Sequence, residues 1–303
     1  QPKTREQRLG EIRESFGGLP AGLRPAQGIL SRYKYRELLR IVIRDLSGIS
    51  SFEETGSELS SLAAALIESA LWAVMRIRKD PHPFAVMGLG KLGGNDLNLS
   101  SDIDLIYVYG IPRLPSGQIR SLFEFYTSVA EELGQILGER TEEGILYRVD
   151  LNLRPEGRNG PLVNSMEALQ TYYEVQGGMG ERAAWLKATP VAGDPALGED
   201  CLKGLEPFVY RRTLDRSVID EIKRMKGKIN REVDRLGSSP HHVKLGRGGI
   251  REIEFFVSAF QLVYGGKDPA LRRRNTLQAL EARLVPLPPW CDDLYFSLMR
   301  ARS

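Results

Sequence analysis

The sequence predicts an α+β chain that is predominantly helical, with a small mixed sheet flanked by helices and a C-terminal helical bundle. Three observations carry this prediction. Apolar residues recur at helical spacing toward both ends, the period shortens to two in the middle, and one long helical stretch separates the strand-like segments. At 303 residues the chain has room for two or three substructures with cores of their own, and its 42% hydrophobic content is ordinary for a soluble globular protein.

In SELSSLAAALIESALWAVMRIRK, Leu59, Leu62, Leu66, Leu71, Val74 and Met75 recur every three to five residues, the stripe of an amphipathic helix that Pro81 and Pro83 bring to an end. FAVMG (84–88), DIDLIYVY (102–109) and ILYRVDLNL (145–153) read as strands, and IRSLFEFYTSVAEELGQILGER (119–140) reads as the helix among them. From residue 195 the pattern is helical again. In SVIDEIKRMKGKINREVDRLG, Val218, Ile222, Met225, Ile229, Val233 and Leu236 mark one buried face, and Gly237 suits a C-cap. The implied division is a helical segment over 1–82, an α/β core over 83–194, and a truncated helical bundle over 195–303. There is no internal repeat and no low-complexity tract.

Forty-two basic against 39 acidic residues leave a formal charge of +3, far from the cationic excess of nucleic-acid-binding chains. Cys201 and Cys291 lack a metal-type spacing and read as buried thiols of a reducing compartment. No apolar run reaches membrane length, and the opening QPKTREQRLG has neither an initiator Met nor a signal-peptide core. The expectation is a cytoplasmic chain, part of something longer, with no nucleic-acid or membrane partner.

The chemistry concentrates in MGLGKLGGNDLNLSSDIDLIYVYG, residues 87–110. On a strand Asp102 and Asp104 project together while Ile103 and Leu105 point into the core. Two carboxylates so close repel each other unless a cation lies between them, and such hard oxygen ligands suit Mg²⁺ with a phosphate completing its shell. A bare D-x-D also reads as a solvated strand end. Gly88, Gly90, Gly93 and Gly94 surround Lys91 just after a strand, where backbone N–H groups can approach a phosphate; glycine-rich strand exits are also common without one. A site with two metals calls for a third carboxylate, and Asp150 fits, on a strand face shared with Asn152 and Arg154 opposite Val149, Leu151 and Leu153. The alternative there is an edge strand with a polar side.

Glycine cradle, D-x-D on the next strand and a further Asp on a later one form the plan of the DNA-polymerase-beta-like nucleotidyltransferases. GLGKLGGNDLNLSSDIDLIY, GILYRVDLNLRPEGRNGPLVNSMEALQTYYEVQG, ERAAWLKATPVAGD, PFVYRRTLD and KLGRGGIREIEFFVSAFQLVYGG, within residues 30–285, resemble more closely the glutamine-synthetase adenylyltransferase/adenylyl-removing family. The resemblance implies a nucleotidyltransferase core with a two-metal Mg²⁺ site on Asp102, Asp104 and Asp150. It implies contacts to nucleotide or phosphate from Gly88, Gly90, Lys91, Ser101, Arg154, Lys187, Arg251 and Glu254. The implied partners are glutamine synthetase, a PII-type signal protein, ATP or ADP, and phosphate. Tyr172, Tyr173 and the run Gly248 to Phe255 side with the family's amino-terminal, adenylyl-removing half.

Within that run, helical spacing makes Ile253, Phe256, Val257 and Phe260 the buried stripe. Glu254 either pairs with Arg251 along the helix or orders a basic group or water in the cleft, and Lys187 and Lys244 either reach phosphate or are solvated. Two positions depart from the family pattern: Asn152 and Thr189 stand where arginines are usual, with Arg154 and Arg158 as possible substitutes. The implied reaction is in-line displacement at the AMP phosphorus, in which phosphate releases ADP from adenylylated tyrosine. Adenylylation from ATP and a non-catalytic nucleotide or signal-protein sensor are the alternatives.

Overall fold

The computed structural model describes residues 1–18, 20–78, 83–110, 119–211, 216–235, 243–244, 246 and 249–282. The expectations placed on Pro81, Leu236, Gly237, Gly248, Cys291 and the Val233 side chain lie outside the described residues. The described chain forms two units, one from residues 1–172 and 188–204, the other from 173–187 and 205 onward.

The first unit opens with three helices, α1 (Arg5–Phe16), α2 (Leu23–Leu46) and α3 (Phe52–Arg78). The starts of α1 and α3 are written in the sequence. Thr4 accepts the Gln7 N–H while Gln7 accepts the Thr4 N–H, and Ser51 and Glu54 repeat the reciprocal cap before α3. The α3 stripe is buried at Leu59, Leu62, Leu66, Leu71 and Val74, and each such side chain contributes roughly 1.5–3 kcal/mol relative to exposure. Although α3 has the length and apolarity to cross a membrane, 78% of its most apolar window is buried within the protein, so it is a core helix. Between α1, α2 and α3, Arg8 (0% exposed) donates to Glu58, which also meets Arg40 and Arg44.

The sheet has five strands: β1 (Phe84–Gly88), β2 (Ile103–Tyr109), β3 (Val149–Asp150), β4 (Val163–Ser165) and β5 (Thr189–Gly193). β1 runs antiparallel to β2 and β5, whereas β3 and β4 lie parallel to β2 at its two ends, so the sheet is mixed as the sequence predicts. A one-turn helix, α4 (Gly90–Gly93), separates β1 from β2, and α5 (Ile119–Gly138) covers the sheet. The α5 residue Tyr126 stacks on Phe84 at 5.3 Å and on Tyr109 at 5.0 Å, and Val129, Leu133 and Leu137 continue its buried face. Ile12, Leu30, Leu62, Leu66, Val86, Leu105, Tyr126 and Val163 belong to one apolar cluster, so the opening helices and the sheet share a core.

One strand is corrected. The expected strand over 145–153 reduces to Val149–Asp150, because the Asp150 carboxylate accepts the Asn152 N–H at 2.8 Å and turns the chain out of the ladder. Asn152 and Arg154 therefore do not continue a strand face with Asp150.

The chain passes into the second unit within α6 (Met166–Val175), forms α7 (Met179–Trp185), and passes again within α8 (Pro195–Val209). Cys201 on α8 is fully buried, which pushes its thiol up to about 12. In the second unit Arg182 is 1% exposed and donates to the Phe208 and Val209 carbonyls at 2.9 and 3.1 Å, satisfying the end of α8. Next come α9 (Arg216–Arg235), α10 (Ile250–Tyr264) and α11 (Thr276–Glu281). Val218 is buried on α9, with Ile222, Met225 and Ile229 partly so. The α10 stripe differs from the expected one. Ile250, Val257, Gln261 and Leu262 are buried, while Phe256 is 40% exposed and packs along the helix on Phe260, the rings tilted with centroids 4.8 Å apart. Burial of the Gln261 amide is made possible by its bonds to the Leu271 and Arg273 carbonyls.

Candidate functional site: an acidic pair on a glycine turn

The parallel register of β2 on β3 pairs Ile103 with Val149 and Asp104 with Asp150. Neighbouring strands lie about 4.8 Å apart, so the two carboxylates start from adjacent backbone positions on one sheet edge. Asp104 also meets the turn after β1. Its carbonyl accepts the Leu89 N–H at 2.9 Å, and a Cβ on Gly90 would lie 2.3 Å from its Oδ2. Gly90 has φ +54°, so both its left-handed backbone and the carboxylate beside it require glycine. At Gly88 a Cβ would fall 2.7 Å from Val191 on β5, which keeps β1 and β5 in close contact there.

The turn is held from behind. Ser60 on α3 accepts the Leu97 N–H, Ser57 accepts from Asn95, and Thr189 donates to the Gly93 carbonyl at 2.8 Å. Thr189 thus fastens α4 to β5. Lys91 is half-buried on this turn, and Ser101 donates to Asn98 in the bend that leads into β2.

Asp102 lies further toward solvent. Its side chain is 51% exposed and forms an ion pair with Arg148, whose Nη2 also donates to the Ser100 carbonyl at 2.9 Å. Carrying the β2–β3 register back two residues sets Asp102 beside Arg148, about 6–7 Å along the strands from Asp104 and Asp150. Sequence reasoning missed Arg148, although it stands two residues before Asp150, with the same parity. Among the described residues no three His, Cys, Asp or Glu side chains converge as a metal cage, so the three aspartates divide into a pair and a third held by an arginine. Two adjacent carboxylates with room made by Gly90 do fit one hard divalent cation that keeps water and phosphate oxygens as its other ligands.

The arginines that follow are committed elsewhere. Arg154 donates to the carbonyls of Leu151, Arg158, Gly160 and Pro161, which fixes the loop after β3, and Arg158 Nε donates to Asn152 Oδ1 at 3.0 Å. Lys187, Arg251 and Glu254 belong to the second unit. There Lys187 Nζ lies 3.3 Å from Glu254 Oε1, the Arg251 N–H donates to the Lys244 carbonyl, and Glu252 meets Lys226. Glu254 and Glu252 thus have different cationic neighbours, consistent with their opposite flanks on α10.

Sequence comparison places these features among known proteins. The profile of a family described as glutamate-ammonia ligase adenylyltransferase matches residues 11–204, and that of GlnD PII-uridylyltransferase matches residues 223–285. A bifunctional glutamine synthetase adenylyltransferase/adenylyl-removing enzyme of Nitrosococcus oceani is 44% identical over 266 residues, covering 83% of this chain and 27% of the relative. Enzymes of the same name from Pseudomonas aeruginosa and Stenotrophomonas maltophilia are 44% and 42% identical over 265 and 270 residues, covering 27% and 29% of their lengths. The chain therefore spans little more than a quarter of the curated relatives it matches.

Proposed function

We propose, on the premise that this chain belongs to the glutamate-ammonia ligase adenylyltransferase family, that its first unit transfers an adenylyl group at the edge formed by Asp104, Asp150 and the Gly90 turn. The observation that carries the proposal is the register of Asp104 on Asp150 beside a glycine that leaves no room for a side chain. The direction we propose is removal: phosphate attacks the phosphorus of AMP bound to a tyrosine of glutamine synthetase, the P–O bond to tyrosine breaks, and ADP leaves.

Asp104 and Asp150, with Asp102 once released from Arg148, would hold a divalent cation such as Mg²⁺, which supplies charge neutralisation at the phosphate oxygens when bound. The protein's own contribution is placement. The Leu89 N–H to Asp104 bond and the Thr189 bond to Gly93 fix the turn against the acidic edge, so the reacting phosphoryl group meets a preset surface. The departing tyrosinate has a conjugate acid of pKa about 10, well below an alcohol, and takes its proton from the attacking hydrogen phosphate or from water.

Tyr172, Tyr173 and the segment around Arg251 to Phe255 support the adenylyl-removing assignment by their likeness to that half of the family. The match of residues 223–285 to a PII-uridylyltransferase profile supports regulation by a PII-type protein acting on the second unit of a cytoplasmic enzyme. The test compares two incubations of the chain with Mg²⁺: adenylylated glutamine synthetase plus phosphate, and unmodified synthetase plus ATP. ADP from the first and no pyrophosphate from the second agrees with removal, and the reverse pattern assigns the chain to adenylylation.

A further inference from the structure

Arg148 lies at the solvent side of the acidic pair with two fixed attachments, the Asp102 carboxylate and the Ser100 carbonyl, and its side chain is 67% exposed. Its own carbonyl accepts the Ile103 N–H at 3.0 Å, so its backbone is part of the β2–β3 pairing while its guanidinium reaches across to Asp102. The neighbouring arginines differ. Arg154 is anchored on backbone carbonyls and Arg158 on Asn152, whereas Arg148, alone of these three, is seen to pair with a carboxylate.

We propose that Arg148 serves two ligands in turn, the Asp102 carboxylate in the free protein and a phosphoryl oxygen of the bound substrate once a divalent cation draws Asp102 away. This rests on the reading of the Asp104–Asp150 edge as the phosphoryl-transfer site and adds to it a residue that couples metal binding to phosphate binding. The physics is an exchange of ion pairs. A cation near Asp102 competes with the guanidinium for the carboxylate, and the planar fork, which spends one N–H on Asp102 and one on the Ser100 carbonyl, can once freed take two oxygens of a phosphate. An exposed pair is weak enough to be exchanged, and its arginine cannot lose its charge in doing so.

The experiment uses the full chain and binding rather than turnover. Mn²⁺ is titrated calorimetrically into wild type, Arg148→Gln and Arg148→Lys, and ADP is titrated into each at saturating Mg²⁺, with thermal melts confirming that each variant folds. Arg148→Gln should bind Mn²⁺ about two- to fivefold more tightly, the scale of an exposed ion pair lost as competitor. The same variant should bind ADP about tenfold more weakly, the scale of one charged hydrogen bond. Opposite signs for the two ligands are the signature, since a merely structural role would weaken both. Arg148→Lys should keep the wild-type Mn²⁺ affinity and recover ADP binding in part. Unchanged or weaker Mn²⁺ binding in Arg148→Gln, or unchanged ADP binding, overturns the exchange while leaving the acidic pair standing. Failure of wild type to bind Mn²⁺ overturns the reading of the edge and the exchange with it.

Discussion

Asp104 and Asp150 are register partners on neighbouring parallel strands, far apart in sequence and adjacent in the sheet. Like charges directly opposite each other across a ladder are destabilising, and a cation shared between them offsets that repulsion. Asp104→Asn and Asp150→Asn should each abolish adenylyl transfer and leave the melting temperature unchanged or slightly raised. Product assays and calorimetric melts of the two variants check this. Near-normal turnover in either would remove that residue from the site.

Gly90→Ala should damage the same site by a different route. The new Cβ would stand 2.3 Å from Asp104 Oδ2 at a φ of +54°, so the carboxylate must move and the backbone takes on about 1–2 kcal/mol of left-handed strain. Turnover should fall much further than stability, as measured by parallel activity and denaturant curves. A loss of stability with normal turnover would mean that the Asp104 carboxylate need not occupy this position.

Asn152→Arg should release Arg158 from its bond to Asn152 and add a second cation beyond Asp150. Titration of ADP at saturating Mg²⁺ should show about tenfold tighter binding, the scale of one charged hydrogen bond. Unchanged affinity would show that the loop after β3 points away from the phosphates.

Acid sensitivity should trace to the buried ion network among α1, α2 and α3. Burial pushes the Glu58 carboxyl up, but hydrogen bonds from Arg40 and the Lys3 N–H, with the charges of Arg40 and Arg8, outweigh it and leave the pKa below the ordinary 4.5. A carboxylate depressed in the folded state stabilises the protein above its unfolded pKa, and that stability is lost as pH falls from about 4.5 through the folded value. Glu58→Ala should destabilise by about 3–5 kcal/mol at neutral pH because Arg8 is left buried beside one fewer carboxylate. Glu58→Gln should flatten the acid limb of the stability curve, and an unchanged limb would place the sensitivity elsewhere.

The legible parts of the fold were those with long, unbroken patterns. The α3 stripe, the α5 helix and the apolar runs of β1 and β2 all stand where periodicity placed them. β4 and β5 were not read, since Val163–Ser165 is three residues long and Thr189–Gly193 carries Pro190 and Gly193 inside an otherwise strand-like stretch. The run 145–153 alternates like a strand, yet the Asp150 side chain competes for the Asn152 N–H and ends the ladder after two residues. For the candidate site, the D-x-D and the glycine turn stand in one stretch of sequence, and the structure sets Gly90 against Asp104. That Asp150 rather than Asp102 stands beside it depends on a parallel pairing between segments 46 residues apart, which local spacing does not encode. Arg148 was overlooked because an arginine in a strand reads as solvated until its carboxylate neighbour is known.

The most direct test follows the phosphate atom itself. Wild-type chain is incubated with adenylylated glutamine synthetase, Mg²⁺ and ³²P-labelled phosphate, with Asp104→Asn alongside, and the nucleotide products are separated. Phosphorolysis at this edge puts label in the β-phosphate of ADP, matched by loss of AMP from the synthetase, and gives no labelled nucleotide with Asp104→Asn. Release of unlabelled AMP, or labelled ADP at an equal rate from Asp104→Asn, would contradict phosphorolysis at the Asp104–Asp150 edge.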